Sequence, residues 1–204
     1  MGPITEIGTV PSFGKAGAPD RIEMIPIRTP VSIVVSSLLA AALGLPAGAS
    51  AATCANASAI PAVANAAQVL NTTLCLLNAE RRARGLPALR DNARLRLAAT
   101  KHSRDMVHRR YFDHTAPGGV SMVTRIQRTG YIAAARSWAL GENIAWGSGS
   151  LSTPARIVRA WMHSSGHRAN ILDRGFHEIG VGIAVGTPEN LDGATYTTDF
   201  GSRR

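Results

Sequence analysis

Lysine is nearly absent from this 204-residue chain, which has it only as Lys15 and Lys101. The formal net charge of +9, from 22 Lys and Arg against 13 Asp and Glu, is therefore carried almost wholly by arginine. Those arginines are scattered, and no nucleic-acid-binding motif accompanies them, which argues against a nucleic-acid partner. The reading left is a basic exported protein that meets anionic cell-envelope polymers or lipid headgroups.

Charge of either sign is missing from residues 29–79, with Arg21 and Arg28 just upstream. Residues 31–45 are apolar and small, Gly44, Pro46 and Gly48 break the run, and two small-x-small sites end at Ala49 and Ala51. That three-part pattern is a secretory signal peptide. Its apolar core of about 15 residues is short of the roughly 20 a spanning helix needs, so no transmembrane segment is expected in the mature protein. Residues 1–23 show no hydrophobic period, and Met24-Ile-Pro-Ile-Arg28 opens an ordinary leader by itself. Translation is therefore expected to start at Met24. The expected division is an extension plus leader over 1–51, a short tethered segment over 52–73 and one domain over 74–204. A secreted or envelope location and a monomer go with it.

Cysteine is scarce too. An even pair, Cys54 and Cys75, in an exported chain favours one disulfide, worth roughly 3 kcal/mol in the chain-entropy model. A lipidated Cys54 is the weaker alternative, because Ala51-Ala52-Thr53 lacks the expected leucine and small-residue pattern. Two unpaired thiols do not suit an oxidising compartment.

What is present begins at 157–172, where Ile157, Val158, Trp161 and Met162 recur at helical spacing. Ser165-Gly166 is expected to break that helix and to leave His167 on a turn, its ring free to enter a groove. Upstream, an apolar helix over 71–84 stops at Gly85, and Asp91 is expected to cap a second helix. Leu95, Ala98, Ala99, His102 and Met106 share one face of that second helix, so His102 reads as a satisfied core histidine. His114 lies in a loop after Tyr111-Phe112, a better place for a site residue. Ser121 caps a short helix, residues 131–139 read as an irregular connection, and Thr153 with Pro154 opens the Trp161 helix. Glu142 sits among Leu140, Ile144, Ala145 and Trp146; if buried it must be paired, with an arginine in the plainest reading, or face a groove. Residues 176–185 and 194–200 read as two antiparallel strands. Helices with a short sheet give an α+β fold class.

The motifs Trp161-x-x-Ser-x-Gly-His-Arg-x-Asn-Ile-Leu172 and Gly141-Glu142-Asn143-Ile144-Ala145 resemble the bacterial branch of the CAP superfamily. Its shared unit is the SCP domain of cysteine-rich secretory, antigen and pathogenesis-related proteins. Four more matches follow the family's order: Leu76-Leu77-Asn78-x-Glu80-Arg81 with Gly85-Leu86; His102-Ser103-x-Asp105-Met106; Tyr111-Phe112-x-His114; and Ile179-Gly180-Val181-Gly182 with Phe200-Gly201. The resemblance spans about residues 74–201. It implies a three-layer α-β-α sandwich and a central cleft lined by His114, Glu142, Asn143, Ser164 and His167. In some members the two histidines bind zinc, which implies a metal set of His114 and His167 with Glu142 as third ligand or as general base. The second Glu of animal and plant members falls at Ser164 here, so the cleft is one carboxylate short, and any zinc is expected to bind weakly. A serine nucleophile is disfavoured, because there is no Gly-x-Ser-x-Gly elbow and Ser164 and Ser165 are poorly placed beside His167. Two readings result. One is a non-catalytic module binding a lipid, an envelope glycan or a protein; the other, less favoured, is a metal-assisted hydrolase of cell-envelope substrates.

Overall fold

The computed structural model describes residues 5–7, 12–15 and 54–204. The leader, its cleavage sites and the start at Met24 lie outside the described residues. Helix α1 is Ala66–Arg82, preceded by a 3-10 turn at Val63–Asn65. Strand β3 (Arg90–Asp91), α2 (Ala93–Arg109), α3 (Met122–Arg128) and β4 (Ser137–Ser148) follow. The chain ends with α4 (Pro154–His163), α5 (Ser165–Leu172), β5 (Glu178–Val185) and β6 (Gly193–Arg203). Two short strands, β1 (Thr5–Ile7) and β2 (Ser12–Lys15), pair with the outer edge of β4.

One sheet, ordered β1-β4-β6-β5-β3 with β2 also on β4, forms the middle layer. β4, β6 and β5 are antiparallel, and β3 joins β5 in parallel. Side chains alternate across each strand, and the two faces differ in chemistry. One face presents Ile179, Val181, Ile183, Tyr196, Phe200 and Ala145 to α1, α4 and α5. Ile157, Val158, Trp161 and Met162 of α4 are all buried there, as their spacing predicts. Trp161 donates its Nε1–H to Ile144 O (3.2 Å) and meets Tyr196 edge-on. The other face carries Leu140 and Glu142 of β4 and is covered by α2 and α3. Helices on both faces of an antiparallel-rich sheet make this an α+β, three-layer α-β-α sandwich.

The approach of α2 to the sheet is set by two glycines. A Cβ on Gly180 would lie 2.0 Å from Arg96 N, and one on Gly182 would lie 2.2 Å from Ala99 C. Backbone against backbone leaves no room for a side chain. This contact aims the next turn of α2 inward, where Ser103 donates to Gly182 O (3.2 Å) and bonds Thr197 (2.9 Å).

Three local expectations change. Asn92, not Asp91, caps α2: its side chain accepts from Arg94 N and Leu95 N, while Asp91 pairs within β3 and salt-bridges Arg96. The break between α4 and α5 is at Ser164, whose backbone is extended (φ −91°, ψ 122°). Gly166 is helical, so His167 lies in the first turn of α5 rather than on a turn; one extended residue is enough to reset the helix axis. Residues 137–139, expected in an irregular connection, begin β4, a third long strand that the sequence did not show because it is buried on both faces and so lacks an alternating pattern.

Cys54 and Cys75 form a disulfide with Cα atoms 5.8 Å apart. It fastens the segment before α1 to that helix. Ala57 O accepts from Ala155 N (2.9 Å), so the segment also touches the start of α4.

Gly182→Ala is expected to cost roughly 3 kcal/mol, the upper end of an overpacking penalty. Chemical denaturation would show a lowered midpoint; an unchanged midpoint would mean that α2 does not sit this close to β5.

Candidate functional site

Glu142 lies in the middle of β4 with no exposure to solvent. Its Oε1 is 2.7 Å from His114 Nδ1, and its Oε2 accepts from Arg125 Nη2 at 2.5 Å. The plain expectation of a Glu–Arg pair is met, and the partner is on α3. Arg125 also donates to His114 O (2.7 Å) and Val120 O (3.2 Å), so one guanidinium fixes both the carboxylate and the loop that delivers His114. The same loop is held from α2. His102 Nε2 lies 3.1 Å from Asp113 O, and since a carbonyl only accepts, that nitrogen carries the proton. His102 is buried and satisfied, as its helix-face position predicts. Burial lowers its pKa to about 4, against the raising influence of Glu142, so it is neutral at neutral pH.

Burial pushes the Glu142 carboxyl up. The His114 hydrogen bond and then the Arg125 charge outweigh that and bring it down to about 2. Asp199 behaves oppositely. It is the cross-strand partner of Glu142 on β6, on the same face of the sheet, and equally buried. No N–H or hydroxyl donor of the described residues reaches either of its carboxyl oxygens, and the group it lies against is the Glu142 carboxyl. Burial and then the neighbouring Glu142 raise its pKa well above the ordinary carboxylate value. Arg125 is already engaged by Glu142, so two adjacent buried carboxyls share one close guanidinium, and the Asp199 carboxyl is the one pushed toward its neutral form.

The remaining expected residues gather around the next residue of β4. Asn143 points to the α5 face, where its Nδ2 donates to His167 O (3.0 Å). Asn170 Nδ2 donates to Glu142 O (3.2 Å) and to Asn143 Oδ1 (3.1 Å). His167 is buried, and its Nδ1 is 2.8 Å from Ser164 Oγ. Two successive residues of β4 thus hold the group: Glu142 holds His114 and Arg125 through its side chain, and Asn143 with the Glu142 carbonyl holds His167 and Asn170 of α5.

As a zinc centre this set is thin. Glu142 would have to give up a bond to His114 or Arg125 to become a ligand. Among the described residues, no group of three or more His, Cys, Asp or Glu side chains is arranged to hold a metal ion.

Arg125, Asn170 and Asp199 are the residues that sequence reasoning missed. Asn170 was within reach, since it stands inside the motif already quoted, two places after Arg168. Asp199 immediately precedes Phe200-Gly201, and only the β4–β6 register shows that it faces Glu142.

The model of the cysteine-rich secretory protein family (CAP) matches residues 74–198. The chain belongs to that family. It is 42% identical over 109 residues to the uncharacterized protein YkwD of Bacillus subtilis, an alignment covering 52% of this chain and 39% of that protein. A solved extracellular protein of Bacillus anthracis containing an SCP domain superposes with TM-score 0.56 at 28% identity, over 71% of this chain and 44% of that one. An outer surface protein of Borrelia burgdorferi shares the fold, with TM-score 0.56 and 21% identity over 67% and 94% of the two chains. The chain thus spans less than half the length of the two Bacillus proteins it matches.

Glu142→Ala is expected to destabilise by about 3–5 kcal/mol, because Arg125 would be left buried without its counter-charge. Equilibrium unfolding would measure it, and a loss under 1 kcal/mol would mean the pair is solvated. Asp199→Asn should act the other way with pH. A carboxyl whose folded pKa is raised stabilises below its unfolded pKa and loses that contribution as pH rises through the folded value. Removing it should flatten the fall in stability as pH rises above the ordinary carboxylate range and make the variant more stable than wild type at the alkaline end. Parallel pH profiles for the two proteins would refute a raised Asp199.

Proposed function

We propose that this CAP domain is an exported, non-catalytic binding module whose ligand, an envelope glycan, a lipid or a protein, is held at the cleft built on β4. The observation that carries this reading is the state of Glu142. A general base works best with a pKa near the operating pH. A carboxylate held at about 2 by His114 and Arg125 is a weak base and a rigid fixture of the wall. Asn143, Ser164, His167 and Asn170 supply the kind of convergent polar groups that orient a ligand. Export is supported by the disulfide and by relatives whose names describe extracellular and surface proteins. No helix of the described residues is long and apolar enough to cross a membrane.

One observation favours the second reading, a metal-assisted hydrolase of envelope substrates. Glu142 and Asp199 are adjacent carboxyls pushed in opposite directions, a pattern that in other sites separates acid from base. Under that reading His114 and His167 are the protein ligands of a weakly held zinc.

The test is zinc titration by calorimetry of the purified chain beside His114→Ala/His167→Ala, followed by co-sedimentation with isolated envelope and with lipid vesicles. The module reading expects no saturable zinc binding. It also expects retention on envelope or vesicles that falls by about tenfold or more in Asn143→Ala, the loss of one well-placed polar contact in a buried site. Saturable zinc binding lost in the double variant, together with release of cleaved envelope fragments, would replace it with the hydrolase.

A further inference from the structure

Outside the cleft, the groove between α2 and α3 concentrates charge of one sign. It encloses about 340 Å³ and is lined on the α2 side by Lys101, His102, Asp105 and Arg109, and on the α3 side by Arg125 and Arg128. Lys101, Asp105 and Arg109 recur every four residues, so they stand in one row along the helix. Four of the lining side chains are permanent cations, and one is an acid.

The partners of these cations separate them into two pairs. Arg109 lies 3.4 Å from Asp105, whose Oδ2 also accepts from Tyr111 (2.7 Å). Arg125 is engaged by Glu142. Lys101 and Arg128, one on each wall and both exposed, have no ion-pair or side-chain hydrogen-bond partner among the described residues. A further donor points to an absent acceptor. The Nε–H of Arg125 is buried and has no hydrogen-bond partner, although its side chain is only 10% exposed. Unmet N–H groups at such depth are uncommon, because the lost hydration is not replaced.

We propose that this groove binds a phosphate-bearing sugar unit, with the phosphate held between Lys101 and Arg128. The charge count selects the group: a phosphomonoester carries close to two negative charges at neutral pH, and two cations stand unmatched. Arginine offers a fork of donors to phosphate oxygens, and lysine a mobile point charge. The remaining walls select the size and character of what is attached. Ala98, Ala116 and Val120 are small, and no Phe, Tyr or Trp lines the groove, so it offers neither a channel for an acyl chain nor a broad platform for a flat base. Its volume is at the lower end of small-molecule sites and suits a single sugar. Lys101 and Arg128 take no part in the hydrogen bonds or ion pairs of the cleft residues, although Arg125 is common to both places, so the inference survives if the reading of the cleft fails.

The experiment is calorimetric titration of the purified full chain with glucose 6-phosphate, glucose, glucuronate and inorganic phosphate. Vesicles containing phosphatidylglycerol are tested in parallel. Saturable binding of glucose 6-phosphate is expected, weakening as salt is raised, tighter than for inorganic phosphate or glucuronate, and undetectable for glucose. Lys101→Ala/Arg128→Ala should weaken it by about tenfold or more, since two charge-assisted contacts are lost, with thermal unfolding unchanged because both side chains are exposed. His167→Ala should bind glucose 6-phosphate as wild type does, whatever becomes of the cleft. Equal binding of glucose 6-phosphate by wild type and the double variant would overturn the proposal. So would capture on the vesicles without binding of the soluble sugar phosphate.

Discussion

A carboxylate buried at the centre of a strand has to be compensated, and much of this domain is arranged around that requirement. Glu142 has no access to water, so each of its oxygens needs a donor from another element. Arg125 reaches it from α3 and His114 from the loop after α2. Arg125 also carries the loop's backbone, and His102 fixes the same loop from beneath through Asp113 O. Two helices, a loop and a strand therefore have positions that are only jointly satisfactory. Breaking any one of these contacts leaves a charge or a donor stranded in a region that water does not reach.

The opposite face of the sheet is held by other means, and the difference accounts for what could be read from the sequence. Ile157, Val158, Trp161 and Met162 face the core because their period is helical, and β5 alternates because its period is two. Periodic apolar burial leaves a trace in one stretch of chain. The polar face leaves almost none. Arg125 is one arginine among many in a chain nearly without lysine, and nothing local marks it as the partner of Glu142. Asp199 becomes visible only when the β4–β6 register is known. The placement of His167 was missed for a smaller reason: glycine in a helix weakens it without ending it, whereas Ser164, which carries no such signal, is where the backbone is extended.

Arg81 shows a third kind of legibility. Its neighbours, Leu76, Leu77, Asn78 and Glu80, mark a family motif, but the motif does not say why an arginine is there. The side chain is almost fully buried and donates to the carbonyls of Pro87, Ile171, Asp173 and Phe176. Those oxygens belong to the turn after α1 and to the chain leaving α5. A single guanidinium thus satisfies irregular backbone that has no ladder of its own, and it fixes the end of the helix that carries His167 and Asn170. The arginine acts on the site only through backbone, by holding the end of α5.

The carboxyl count of the cleft also changes meaning. By sequence the site is one carboxylate short, because Ser164 stands where animal and plant relatives have Glu. The fold supplies a second carboxyl from β6, and Asp199 is its source. The two positions are not equivalent. A Glu at position 164 would extend from the link between α4 and α5, on the side where Ser164 now meets His167, and would carry a full negative charge toward the histidine. Asp199 lies under α2, beside Glu142, where burial and the neighbouring carboxylate push its carboxyl toward the neutral form. Two carboxyls thus lie side by side beneath α2, one ionised and held by His114 and Arg125, the other with its pKa raised by burial and by its neighbour, and that asymmetry follows from which strand provides the second acid.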